Sequence, residues 1–92
     1  MNEQQLREVV LAALARVAPE VDPAALDPAA DLSEQLDLDS MDFLNVVVAV
    51  HEQTGIEVPE RDYAKLATLD DAVAYLSAAQ QHDAADAADA AE

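Results

Sequence analysis

The run Asp39-Ser40-Met41-Asp42-Phe43-Leu44-Asn45-Val46-Val47-Val48-Ala49-Val50-His51-Glu52-Gln53-Thr54-Gly55 carries a helix start, two apolar faces and a stop. Acids at its head suit the positive end of a helix dipole. The chain's single glycine, Gly55, supplies a left-handed C-terminal stop. At about 100° per residue, Leu44, Asn45, Val48 and Glu52 lie within about 60° of Met41. Phe43, Val46, Val47, Val50 and Thr54 fall on the opposite side. One apolar stripe is enough for the core of a small bundle. The second is a partner surface, a wall of a cleft for an apolar cargo, or the other buried side of a central helix.

Outward from this run the pattern is all-α. Residues 3–17 predict a helix, with Leu6, Val9, Val10, Ala13, Leu14 and Val17 at helical spacing. Ala18-Pro19 ends it. Residues 18–38 form a long connection in which Asp22-Pro23 and Asp27-Pro28 predict turns or short helix starts. So long a loop is expected to be pinned, with Leu26, Leu32, Leu36 and Leu38 as the pins. Pro59 opens a short helical turn at about 60–66, and a last helix begins at Thr68 or Leu69. Val73, Leu76 and Tyr75 supply its buried face. Ile56-Glu57-Val58 alternates, but one short segment makes no sheet. Residues 1–80 are expected to be the folded domain. Residues 81–92, rich in Ala and Asp, have no large apolar group to bury and are expected to be a flexible acidic tail.

Composition narrows the function classes. The 92 residues suffice for one small domain. Aromatics are 3% and alanine supplies 21 positions, so the core must rest on Leu, Val and Ile. Net charge is −16, from four cations against twenty acids. Nucleic acid is a poor partner for such a surface, and proteins with basic surfaces are favoured ones. Acidity also serves solubility alone. With no Cys there is no disulfide frame and no thiolate metal site. The N-terminal residues lack the apolar stretch of a signal peptide, and no run is long enough to span a membrane. A cytoplasmic protein is the simplest expectation.

Ser40 is the candidate functional residue. Of three serines, only Ser40 sits between two carboxylates at a helix head. A serine there is ordinarily a cap, but Asp39 can cap equally well and leave Ser40 exposed. A helix N-terminus also stabilises an attached phosphate. Ser40 has no credible base for nucleophilic catalysis: His51 lies eleven residues along the same helix, about 16 Å away, and His82 is in the tail. No catalytic residue is therefore assigned. Asp37, Asp39 and Asp42 hint at a calcium loop, but Met41 and Asp42 occupy the positions that require a ligand and a glycine. No metal site is assigned either.

These residues resemble the acyl carrier protein family. The likeness rests on Leu36-Asp37-Leu38-Asp39-Ser40-Met41-Asp42, which is similar to that family's attachment motif. It continues through Ala49–Pro59 and Lys65–Leu76 and covers about residues 3–79. The resemblance implies a four-helix bundle with a short third helix and a long loop between helices 1 and 2. It implies that Ser40 receives 4′-phosphopantetheine from coenzyme A through a Mg²⁺-dependent phosphopantetheinyl transferase. The arm's thiol would then carry acyl groups as thioesters in fatty-acid, polyketide or related metabolism. Asp39, Met41, Asp42, Leu44, Asn45, Val48, Glu52 and Glu60 are the expected partner-binding residues. They would face acyl-loading and acyl-processing enzymes with basic docking surfaces, and the carrier is expected to be a monomer.

Three positions depart from the family's usual pattern. Asp37 stands where the motif commonly has Gly, and aspartate tolerates the left-handed turn better than most residues. Asn45 and His51 stand where acids are common in fatty-acid carriers, which suggests a dedicated partner set. Two alternatives stay open: a peptidyl or aminoacyl carrier, and an unmodified acidic helical module that docks through Met41, Leu44 and Val48.

Overall fold

The computed structural model describes the backbone of residues 1–90 and the side chains of residues 1–80. The order of elements is α1 (Glu3–Val17), α2 (Leu32–Leu36), α3 (Ser40–Thr54), a 3₁₀ segment (Glu60–Leu66) and α4 (Leu69–Ala90). No strand occurs among the described residues. The expected bundle is present, with one added feature: the long connection contains the short helix α2. The expectation of a flexible tail falls on residues whose side chains lie outside the described set, as do residues 91 and 92 entirely.

Each boundary has a local cause. At α1, Asn2 Oδ1 accepts from the Gln5 amide at 2.8 Å, and Gln5 Oε1 accepts from the Asn2 amide at 2.9 Å, a reciprocal cap. Asp31 caps α2 by accepting from the Glu34 amide at 3.0 Å. The Thr68 hydroxyl accepts from the Asp71 amide at the head of α4. At the other end of α3, Gly55 takes φ 73°, and its N–H donates to the His51 carbonyl at 2.7 Å. A Cβ at this φ would be strained, which is why the chain's one glycine stands here.

The long connection is pinned as its leucines suggest. Leu32 and Leu26 are buried, and Leu36 and Leu38 pack half-buried against the core. Both Asp-Pro pairs form turns in which Asp22 and Asp27 accept from the amides of Ala24 and Ala29. Two backbone bonds tie the connection to the far side of the molecule. Leu32 donates to the Ala67 carbonyl at 2.7 Å, and Asp70 donates to that of Pro28 at 3.0 Å. The Gln35 amide group adds a stitch, donating to the carbonyls of Asp27 and Ala30 and accepting from the Asp27 amide.

The core is aliphatic. Leu6, Leu14, Leu32 and Leu76 are the largest fully buried side chains, joined by Val10, Val46, Val47 and Val50. α1 packs on α3 and α4, and α4 packs on the 3₁₀ segment. Val73 and Leu76 are buried on α4, and Tyr75 is half-buried. Ile56 and Val58 also enter the core, with Glu57 outside, so their alternation marks an extended linker rather than a paired strand. No polar or charged residue is buried among the described residues. The apolar ledger alone therefore holds the interior.

Candidate functional site

The sharp turn into α3 begins at Asp37, which adopts φ 54° and ψ 47°, the left-handed region anticipated for it. The chain then reverses through Leu38 and enters α3 at Asp39. Asp39 is the cap: its Oδ1 accepts from the Asp42 amide at 2.8 Å. Asp42 Oδ2 returns the contact to the Asp39 amide at 3.4 Å. Ser40 is therefore the first helical residue and not the cap. It is exposed, and among the described residues its hydroxyl makes no hydrogen bond. The turn presents a free hydroxyl at the end of a helix whose next apolar residue, Met41, is 63% exposed.

Two opposed electrostatic effects meet at this corner. Asp39 and Asp42 flank Ser40, and their charges oppose a phosphate placed between them. The first-turn amides and the helix dipole act in the other direction.

Beside Ser40 opens a cleft of about 780 Å³ between α3 and the 3₁₀ segment. Asp39, Ser40 and Leu44 line one side, and Glu60, Tyr63 and Ala64 the other. The Phe43 and Tyr63 rings meet across it with centroids 6.1 Å apart at 58°. The lining thus combines two aromatic rings with the acids Asp31, Asp39 and Glu60. Phe43 also borders an apolar void of about 20 Å³ lined by residues such as Val47, Val50 and Leu76. In this conformation that void is on the scale of one water.

The 3₁₀ wall of the cleft is fastened to α4. The Tyr75 hydroxyl donates to Asp62 Oδ2 at 2.7 Å, and Lys65 Nζ lies 3.4 Å from Asp62 Oδ1. The Tyr75 hydrogen bond, with help from Lys65, holds the Asp62 carboxyl below its ordinary value.

The expected partner-binding residues split into two groups. Asp39, Leu44 and Glu60 border the cleft, with Met41 and Asp42 on the adjoining first turn of α3. Asn45, Val48 and Glu52 lie toward α1, around a shallow depression that Arg16 and Val17 also line. Met41, Leu44 and Val48 are the exposed apolar residues of α3, at 63%, 39% and 44%. The second stripe is therefore surface, not a second buried side. Glu52 is not an isolated acid, since Arg16 Nη1 lies 3.8 Å from its Oε2. Helical spacing within α3 could not reveal this pair, because its cation comes from α1. Phe43, Tyr63 and Arg16 are the site residues that the sequence reading passed over. The only Phe of the chain, three residues after Ser40, was the available signal.

His51 Nδ1 lies 3.0 Å from the Ile56 carbonyl oxygen at the far end of α3 from Ser40. Among the described residues no group of three or more His, Asp or Glu is arranged to hold a metal ion. No helix among them is long and apolar enough to cross a membrane.

A helical bundle that presents a solvent-facing serine, with the cap supplied by its neighbour Asp39, has the form of a carrier domain. Comparison with known proteins agrees. The family model described as "Phosphopantetheine attachment site" matches residues 8–76. The chain is 32% identical over 77 residues to an acyl carrier protein of Thermosynechococcus vestitus, covering 84% of this chain and 94% of that one. It is 31% identical over 77 residues to an acyl carrier protein of Micrococcus luteus, covering 80% and 95%. A meromycolate extension acyl carrier protein of Mycolicibacterium smegmatis is 32% identical over 73 residues, covering 76% and 74%. The chain belongs to the acyl carrier protein family. It is a carrier and not an enzyme, and its prosthetic group is 4′-phosphopantetheine.

Proposed function

We propose that Ser40 is the attachment residue and that the chain delivers acyl groups, held as thioesters, to enzymes of fatty-acid or related lipid metabolism. The observation that carries this reading is the division of labour at the head of α3. Asp39 supplies the cap, so the exposed Ser40 hydroxyl is left without an internal partner. The Ser40 oxygen would bond to the phosphorus nearer the pantetheine of coenzyme A. The pyrophosphate bond breaks, adenosine 3′,5′-bisphosphate leaves, and the hydroxyl proton passes to a base of the transferase. When bound, the group supplies a thiol on a long tether, which raises the local concentration of cargo at a docked enzyme.

The cleft offers an apolar cargo a surface at Phe43 and Tyr63. Residues 1–80 form the carrier unit, with 81–92 as an acidic appendage. The carrier works as a monomer in the cytoplasm, and its partners present basic surfaces to Asp39, Asp42 and Glu60. Asn45 and the Arg16–Glu52 pair support a dedicated partner set rather than general fatty-acid synthesis.

The test is acyl loading of the modified protein. A hydroxylamine-labile acyl adduct, absent from Ser40→Ala, is the expected result. Loading only by an amino-acid-activating enzyme would assign the chain to aminoacyl or peptidyl transport instead. If general elongation enzymes use this carrier as efficiently as their own, the dedicated-partner reading is wrong.

A further inference from the structure

We infer that Arg16 is a specificity-determining residue that masks Glu52, so that α3 docks enzymes whose basic cluster is confined to the Ser40 end. The inference rests on the carrier reading and extends it to the kind of partner surface that fits.

Four cations serve a chain of net charge −16, and Arg16 is the one that lines the depression beside Glu52. The Arg16 and Glu52 side chains are 63% and 58% exposed and 3.8 Å apart. Such an open, long pair contributes next to nothing to stability. Nor does the fold need it, because α1 and α3 already meet through the buried Val10, Ala13 and Leu14 on one side and Val46, Ala49 and Val50 on the other. Its consequence is electrostatic and directed outward. Asn45 and Val48 carry no charge, so the depression of about 230 Å³ around Arg16 and Glu52 is neutral as a whole. At the Ser40 end, Asp39 and Asp42 have no Lys or Arg within ion-pair distance among the described residues, and Glu60 across the cleft has none either.

The face is thus polarised along α3: acidic beside Ser40, then apolar at Leu44 and Val48, then neutral at Glu52. Steering depends on the summed field, and a like charge placed against a basic surface slows encounter and weakens the complex. An enzyme that extends basic residues along the whole helix meets the Arg16 guanidinium. An enzyme whose basic residues stop near Leu44 does not. Complementarity of charge therefore selects the second kind of partner.

The probe is a phosphopantetheinyl transferase whose docking surface is basic along its length. Its Kd is measured for the carrier in a Ser40→Ala background, and its kcat/KM for the unaltered serine. Arg16→Gln is expected to tighten binding about twofold at low salt, and Arg16→Glu about fourfold. The gain should appear in KM rather than kcat and should vanish at high salt. Arg16→Lys, which keeps the charge, should behave as the parent. Glu52→Gln added to Arg16→Gln should cancel the gain. Arg16 stands in the last turn of α1, where a cation suits the helix dipole, so Arg16→Gln and Arg16→Glu should melt slightly below the parent; Kd is read well below those temperatures, which separates masking from a change in fold. An unchanged Kd for Arg16→Glu at low salt would overturn the inference. Failure of the parent protein to be modified would instead overturn Ser40 as the attachment site, and the Kd series would still report on Arg16.

Discussion

Val47 and Val48 are neighbours of the same residue type, yet Val47 is 5% exposed and Val48 44%. A single step of about 100° around α3 separates a core position from one proposed for docking. The two faces obey different rules. The buried face answers to volume and water exclusion. The exposed face, with Met41, Leu44 and Val48, leaves apolar area in solvent with no return in folding energy. A similar division recurs at the head of the helix, where Asp39 serves the fold and Ser40 does not. The lesson is that the proposed function occupies positions the fold leaves idle, one residue away from positions it requires.

Substitutions at these adjacent pairs break or sharpen that comparison. The largest effect is expected from Val47→Asp, which buries an unpaired charge and should cost about 3–5 kcal/mol, much of a small domain's stability. Val48→Asp should stay within about 0.5 kcal/mol of the parent in urea denaturation. Equal losses at the two sites would show that the exposed stripe is packed after all.

At the helix head, Asp39→Ala should lose about 1 kcal/mol through the cap, while Ser40→Ala should leave the urea midpoint where it was. The reverse order would make Ser40 the true cap and weaken its assignment.

A smaller effect is expected where the 3₁₀ wall of the cleft meets α4. Asp62 is held below its ordinary value of 3.8, chiefly by the Tyr75 hydroxyl. A carboxyl lowered in the folded state contributes stability above its unfolded value and loses it as pH falls through the folded one. Tyr75→Phe should therefore lower the urea midpoint at neutral pH, and the gap to the parent should narrow below pH 3.8. A gap independent of pH would mean that Tyr75 acts only by packing.

The mildest perturbation is ionic strength. With a net charge of −16, added salt or millimolar Mg²⁺ should raise the melting temperature by screening self-repulsion. A flat response would place the acids too far apart to matter.

Much of this architecture was legible in the sequence because its signals are local. The bounds of α1 and α3 follow from Asn2, Asp39 and Gly55 acting on residues three or four positions away. The left-handed Asp37 could be anticipated from the short polar side chain that such a turn tolerates. What the sequence withheld depends on contacts between distant segments. The Leu32–Ala67 and Asp70–Pro28 backbone bonds that pin the long connection leave no trace in side-chain pattern. Nor do the Tyr75–Asp62 clasp and the Arg16–Glu52 pair, each joining two elements. Helical spacing puts Phe43 on the side opposite Met41, yet its half-buried ring borders both the core void and the cleft, a double role that periodicity cannot express.

The most direct measurement is the intact mass of the apo-protein after incubation with coenzyme A, Mg²⁺ and a broad-specificity phosphopantetheinyl transferase. Ser40→Ala and a known carrier should be treated in parallel. A gain of one phosphopantetheine in the parent and none in a Ser40→Ala protein of unchanged melting temperature is the predicted result. No gain in the parent while the known carrier is modified, or an equal gain in Ser40→Ala, would contradict the assignment of Ser40.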